Sequence, residues 1–179
     1  DHCGSLPVAL RHFPRARVLM TEPSYFIVER VLHNSVNVMK RQRVEKDIWD
    51  YPLYSHEEID ELSYLFQGCK YGHVEPWGAF AREGESPTLS FHHAGHVLGS
   101  AGIRVARGKE SLFYTGDVCF YDQTLSPKAD FGGVKADVLI LETTCGNTET
   151  PECFTRDKEA KRCLDAIRDR LDRQPGMLV

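Results

Sequence analysis

The stretch HHAGHVLGS, residues 92–100, places histidines and glycines directly after a run, residues 88–92, that is predicted to be a strand. The stretch YTGD, residues 114–117, ends another predicted strand. Side chains that follow strands can converge at one sheet edge, and imidazole and carboxylate are zinc ligands. Taken singly, a histidine beside glycine or a Thr-Gly-Asp turn is more often structural. The motifs together favour a metal site.

The composition is that of one soluble globular domain, with 179 residues, 41% of them hydrophobic and 27% charged. The formal net charge of −4 argues against a dedicated nucleic-acid binder, which is usually basic. It does not exclude an enzyme whose bound cations meet the phosphate. No apolar run is long enough to span a bilayer, and we expect a cytoplasmic protein.

The six cysteines contain no C-x-x-C pair. Free thiols in a reducing compartment are therefore expected. Cys163 is predicted to be a small apolar residue on the inward face of a helix.

The alternation of apolar runs and amphipathic segments predicts an α/β fold. Ser55 and Glu58 form a capping box ahead of a helix that includes Phe66. Residues 138–141 read as a strand buried on both faces. Three further helices are predicted, at residues 5–12, from Thr21 onward and at 156–173. The residues expected inward are Val28, Val31, Leu32, Ser35 and Met39 in the second of these helices, and Ala160, Cys163, Leu164, Ile167 and Leu171 in the third. Strands are predicted at 16–20, 103–106 and 111–115, and a loop over 41–54.

Four motifs in order resemble the metallo-β-lactamase superfamily, and within it the β-CASP nucleases such as the mRNA 3′-end cleavage endonuclease. DHCGS at residues 1–5 resembles the end of the family's H-x-H-x-D-H motif and its continuation. AGHVLGS at 94–100 and TGD at 115–117 match the third and fourth motifs. ETTCG at 142–146 resembles the family's Glu-Ser-Thr-Tyr-Gly, with Cys145 as a departure from tyrosine.

The resemblance implies a partial metallo-β-lactamase αββα sandwich over residues 1–179. We expect it to be truncated at both ends, to begin inside the first motif, and to lack the β-CASP insertion and the C-terminal part. Such a piece is expected to be inactive alone.

The resemblance also implies two Zn²⁺ ions and assigns their ligands. Asp1 and His2 would bind the second metal, His96 the first, and Asp117 would bridge both. Asp1 and Asp117 are also expected to act in catalysis, together with Glu142. In the family, the residue matching Glu142 pairs with a histidine from the inserted domain that protonates the leaving oxygen. The alternative for Glu142 is a carboxylate that caps a loop.

The remaining histidines have less context. His93 is predicted to pack or to support His96 rather than to bind metal. The rest are expected at the surface or in loops: His12, His33, His56 and His73.

The implied activity is zinc-dependent phosphodiester hydrolysis in RNA processing. The expected substrate is RNA rather than DNA. No membrane partner is expected, and a homodimer is one possible assembly. Three alternatives remain. Related hydrolases cleave thioesters, lactones or β-lactams, but residues 142–146 argue against them. A non-catalytic subunit is disfavoured by the intact ligand positions. A flavin-partnered iron enzyme usually has a different second motif.

Overall fold

The computed structural model describes residues 2–77, 86–149 and 153–173. The chain divides into two compact units, one up to residue 142 and one from residue 143 onward. The described residues form both helices and strands, which is compatible with the predicted α/β fold. Among the described residues, no helix combines the length and the apolar character needed to cross a membrane.

The first unit contains, in chain order, α1 (Leu6–His12), β1 (Val18–Thr21), α2 (Glu22–Glu45), α3 (His56–Leu62), a 3₁₀ turn (Ser63–Leu65), β2 (Phe66–Cys69), β3 (Val74–Pro76), β4 (Thr88–His93), β5 (Ala101–Arg107), β6 (Glu110–Tyr114) and β7 (Val138–Ile140). The described part of the second unit contains the helix α4 (Arg156–Arg173).

The strands form two sheets. β1 and β2 pair in parallel, and the larger sheet has the order β3-β4-β5-β6-β7. Its first four strands are antiparallel neighbours, whereas β7 runs parallel to β6. Because β4 and β6 flank β5, the loop after β4 and the turn after β6 emerge at the same edge of the sheet. This arrangement brings the predicted third and fourth motifs together.

Helix α2 begins where the sequence predicts. The Thr21 side chain accepts a hydrogen bond from the Ser24 backbone N–H at 3.3 Å, and a proline lies in the first turn. The buried side chains are Val28, Leu32, Val36 and Met39. The inward placement of Val31 is wrong, because it lies roughly a quarter-turn from this stripe and is exposed. Val36, which is absent from the predicted set, is buried.

The apolar core of the first unit lies between α1, α2, α3 and the small sheet. Its buried members are Leu10, Val28, Leu32, Val36, Met39, Tyr54, Ile59 and Phe66. Two helices are also joined by charge, since Arg11 donates from Nε and Nη2 to the Glu58 carboxylate at 2.6 Å. The Arg11 guanidinium holds the pKa of Glu58 below its usual range.

The capping box forms as predicted. Ser55 Oγ accepts from the Glu58 backbone N–H at 3.2 Å. The Glu58 carboxylate accepts a hydrogen bond from the Ser55 backbone in return, and it also forms the ion pair with Arg11. Phe66 is not helical, because the chain tightens into a 3₁₀ turn after Leu62 and enters β2.

Other predictions of local structure also need correction. Residues 41–45 continue α2, so only the later part of the predicted 41–54 loop is irregular. Strands β2 and β3 were not predicted, since short strands carry little periodic signal. His33 and His56, expected at the surface or in loops, are partly exposed residues of α2 and α3, and their side chains contact each other.

Two apolar segments are more exposed than predicted. All three residues of β7 are exposed, as is Leu141, and among the described strands β7 lies at the edge of the sheet beside β6. Within the described part of the second unit, α4 buries no residue, and its expected inward residues Cys163, Leu164, Ile167 and Leu171 are exposed. All six cysteines are free, as expected. The sequence also predicts that Pro175-Gly176 stops this last helix, but these two residues lie outside the described part of the chain.

We expect Leu32→Ala to lower the free energy of unfolding by about 2–5 kcal/mol, because Leu32 is 0% exposed and its loss leaves a cavity. Urea unfolding followed by circular dichroism measures this effect. Leu125→Ala is the control, since Leu125 is 93% exposed and its substitution should change stability by less than about 0.5 kcal/mol. Equal effects of the two substitutions would contradict the assigned core.

Candidate metal centre

Two glycines shape the loop that carries His96 between β4 and β5. Gly95 has φ +72°, and a Cβ there would collide with the backbone at Ala129 and Cys119. Gly99 has φ +89°, and a Cβ there would lie 2.5 Å from Ser24 Oγ. Both positions therefore require glycine for conformation and for space. The glycines of the AGHVLGS motif thus have a steric function that is independent of any metal.

Hydroxyl groups tie this loop to the rest of the first unit. Ser100 Oγ accepts from the backbone N–H groups of His96 and Val97 at 3.1 and 3.2 Å. Thr21 Oγ1 donates to the Gly99 carbonyl at 2.8 Å, and Ser24 Oγ donates to the same oxygen at 3.2 Å. The backbone on both sides of His96 is consequently held at several points.

Backbone pairing brings His96 beside Asp117. Gly95 forms an antiparallel bridge with Val118. In antiparallel pairing the next residue of one segment faces the preceding residue of the other, so His96 is placed opposite Asp117. His96 Nε2 lies 3.9 Å from Asp117 Oδ2. The turn after β6 and the loop after β4 therefore deliver an imidazole and a carboxylate to one point.

His2 reaches the same carboxylate from the start of the chain. His2 Nε2 lies 2.9 Å from Asp117 Oδ2, across 115 positions in sequence. One carboxylate oxygen thus lies near two imidazole nitrogens that come from different loops. Of the four predicted ligands the structure brings together His2, His96 and Asp117, whereas Asp1 lies outside the described residues.

The three side chains lie at a cavity of about 540 Å³. Its walls include parts of β1, α2 and the larger sheet, and they combine apolar side chains such as Met20 and Phe91 with polar ones such as Thr21. The donor set is two imidazoles and a carboxylate, which suits zinc. The separations of 2.9 and 3.9 Å put Asp117 Oδ2 within reach of both imidazoles.

The neighbouring histidines serve other contacts. His93 Nδ1 accepts from the Gly95 backbone N–H at 3.1 Å, and the His93 ring lies against Tyr71. It thus supports the loop, as the sequence analysis predicts for it. His92 contacts Ser90 Oγ at 3.0 Å. Burial lowers the pKa of His92, and the Arg104 charge adds to this effect while Asp130 opposes it.

Glu142 follows β7 and lies beside the Asp117 turn. Its Oε1 accepts from the backbone N–H of Val118 at 3.2 Å, and its own N–H donates to Thr115 Oγ1 at 3.4 Å. The Glu142 side chain therefore does cap a loop. Because Val118 adjoins Asp117, the same contact also holds the Glu142 carboxylate beside the Asp117 turn, so the two interpretations of Glu142 do not exclude each other.

One contributor was missed by sequence reasoning. Gln123 Nε2 donates to the carbonyls of Gly95 and His96 at 2.6 and 2.8 Å. Gln123 belongs to an irregular segment without periodicity or a recognisable motif, so nothing in its local sequence indicates this contact. Thr21 was recognised only as the start of a helix, and its bond to Gly99 needed the tertiary structure.

No family model matches the chain. It is similar to the transcription termination factor FttA of Pyrococcus horikoshii, with 24% identity over 182 residues that cover 100% of this chain and 26% of that protein. Ribonuclease TTHA0252 of Thermus thermophilus is 30% identical over 150 residues, or 82% of this chain and 30% of that protein. The endoribonuclease YSH1 of Yarrowia lipolytica is 27% identical over 174 residues, covering 97% and 19%.

These relatives confirm the resemblance drawn from the motifs. The chain spans a fifth to a third of the length of the curated relatives it matches. The similarity to FttA of Pyrococcus horikoshii covers the whole chain, so the aligned region includes the AGHVLGS and TGD motifs.

We expect Gln123→Met to weaken zinc binding about 10-fold, because it removes both donated hydrogen bonds that hold the His96 loop while keeping a side chain of similar size. Competition with a chromophoric chelator measures the affinity in the full-length protein. Gln42→Met is the control, since Gln42 lies in α2 away from this loop. An unchanged affinity in Gln123→Met would show that Gln123 does not position the loop.

Proposed function

Because this chain is related to the β-CASP ribonucleases of the metallo-β-lactamase superfamily, we propose that it forms part of an enzyme that hydrolyses phosphodiester bonds in RNA with two zinc ions. The observation that carries this proposal is the meeting of His2 and His96 at one oxygen of Asp117, at 2.9 and 3.9 Å. Relatives named ribonuclease and endoribonuclease support RNA as the substrate.

The proposed ligands are Asp1 and His2 for one ion, His96 for the other, and Asp117 for both. When bound, the ions would lower the pKa of a coordinated water and neutralise charge on the phosphate. The net charge of −4 therefore does not argue against a nucleic-acid substrate, because the phosphate would meet the ions rather than a basic surface.

The protein's own contribution at this point is orientation. Asp117 Oδ2 already faces the two imidazoles, so little rearrangement is needed for it to serve two ligand sites. His96 is held through its backbone by Ser100, and its loop is held by Thr21 and Gln123. Because these contacts fix the loop, the metal-binding side chains keep their positions even before a metal ion binds.

Glu142 is proposed to orient a proton donor beside this centre without binding metal. The contact that supports this proposal is the hydrogen bond that one Glu142 carboxylate oxygen accepts from Val118, the residue after Asp117. A carboxylate held beside an imidazole favours the protonated imidazole, which can then deliver a proton to the leaving oxygen. In the related nucleases this imidazole belongs to the inserted domain.

In the full-length protein, Asp117→Ala should lose bound zinc and RNA cleavage together. The carboxylate is the shared contact of His2 and His96, and loss of metal assistance costs several kcal/mol, or roughly a thousandfold in rate. Elemental analysis and cleavage of a labelled RNA oligonucleotide measure the two effects. Asp50→Ala controls for removal of an exposed carboxylate. Full metal content with full activity in Asp117→Ala would refute the bridging role.

Glu142→Gln separates the structural from the chemical role of Glu142. The amide oxygen can still accept from Val118, so the loop and the metal content should be retained. The lost charge should slow RNA cleavage by about 10²–10⁴-fold. Glu149→Gln, at an exposed position, is the matched control. If Glu142→Gln cleaves RNA like the parent, Glu142 only caps the loop, and thioester and lactone substrates become the next to assay.

A further inference from the structure

A second group of metal-ligating side chains lies on α2 and α3, outside the His2–Asp117 centre. Glu29 and His33 are one helical turn apart on α2, and Asp60 comes from α3. Their ligand atoms all lie within 4.8 Å of one another. His33 Nε2 is 3.1 Å from Asp60 Oδ1 and 3.9 Å from Glu29 Oε1. One imidazole nitrogen therefore faces two carboxylates.

The opposite nitrogen of the same ring is also engaged. His33 Nδ1 lies 2.8 Å from His56 Nδ1, and the two rings are inclined by only 19°. One of these two nitrogens must carry the hydrogen for the contact to be favourable. When His33 Nδ1 donates to His56, the Nε2 of a neutral His33 presents its lone pair to the carboxylates.

In that tautomer the three acceptors need a positive charge among them, whereas in the other tautomer, in which His56 Nδ1 donates to His33 Nδ1, a neutral His33 donates from Nε2 to Asp60. The lone pair of His33 Nε2 and the oxygens of Glu29 and Asp60 would otherwise repel one another. Either a proton on Nε2 or a cation between the ligands satisfies them. An imidazole whose other nitrogen is held by a hydrogen bond is the usual form of a metal-binding histidine.

We propose that Glu29, His33 and Asp60 form a second zinc-binding site, with His56 as the residue that orients His33. One imidazole and two carboxylates are ligands that zinc accepts, and water would complete the coordination. The His33 side chain is 28% exposed, whereas those of Glu29 and Asp60 are 53% and 64% exposed. The site is therefore open to solvent and should bind more weakly than the centre at Asp117.

This site is independent of the proposed nuclease function. Its three ligands come from the two helices and share no residue with the His2–Asp117 centre. Zinc binding here is expected to require only the contact between α2 and α3, and RNA cleavage is not its readout.

The experiment is a calorimetric Zn²⁺ titration of the full-length protein carrying Asp117→Ala, stripped of metal at pH 7. This background removes the bridging ligand of the main centre and exposes weaker sites. We expect a remaining zinc equivalent whose affinity falls at least about 10-fold on adding Asp60→Asn. Asp60 is the most exposed ligand, so this substitution should leave folding intact, as circular dichroism would verify.

Glu61→Gln is the matched control, because it removes the same charge from the next position of α3 but lies outside the group of ligands. Its isotherm should match that of the background. His56→Gln should weaken binding less than Asp60→Asn does, since His56 only orients His33.

Two results would overturn the proposal. One is the absence of any remaining zinc equivalent in the Asp117→Ala background, which would leave His33 Nε2 as a hydrogen-bond donor to Asp60. The other is an equal isotherm for Asp60→Asn and Glu61→Gln. Failure of the proposed nuclease centre has a separate signature. In that case Asp117→Ala still retains the zinc of that centre, while Asp60→Asn still lowers the affinity for one further zinc equivalent.

Discussion

The hydrogen bond from Thr21 Oγ1 to the Gly99 carbonyl joins the parts of the first unit on which the candidate metal centre depends. Thr21 ends β1, caps α2 and is only 2% exposed. A buried hydroxyl needs a partner, and the Gly99 carbonyl provides it at 2.8 Å. The start of α2 and the loop that carries His96 are therefore positioned by the same side chain, so a shift of α2 would be transmitted to His96.

The two groups of metal-ligating residues arise in different ways. His2, His96 and Asp117 come from three irregular segments, and their meeting depends on the bridge between Gly95 and Val118 and on the order of strands in the sheet. Glu29 and His33 are neighbours on any helix, so the second group needs only one helix contact. The first group has buried backbone support on several sides, whereas the second is a surface arrangement.

In the proposed enzyme, the structural contact of Glu142 would also serve chemistry. A carboxylate that accepts from the Val118 N–H stabilises the turn after β6, and the same contact holds its charge beside Asp117. Substitution by alanine would disturb both functions at once. The glutamine variant keeps an acceptor oxygen and removes only the charge, which is why it separates the two.

The sequence by itself determined the local elements with strong signals, and it predicted the chemical character of the candidate centre. The threonine cap and the apolar spacing of α2 specify that helix, and the motifs containing His96 and Asp117 predict zinc-type ligands before any contact is known. Only the tertiary structure decided that Gln123 and Thr21 hold the metal loop, that His33 and His56 form a pair, and that β7 and α4 remain exposed. The reason is physical: caps and periodicity act between residues a few positions apart, whereas burial and side-chain partners depend on which segments the folded chain brings together from distant positions.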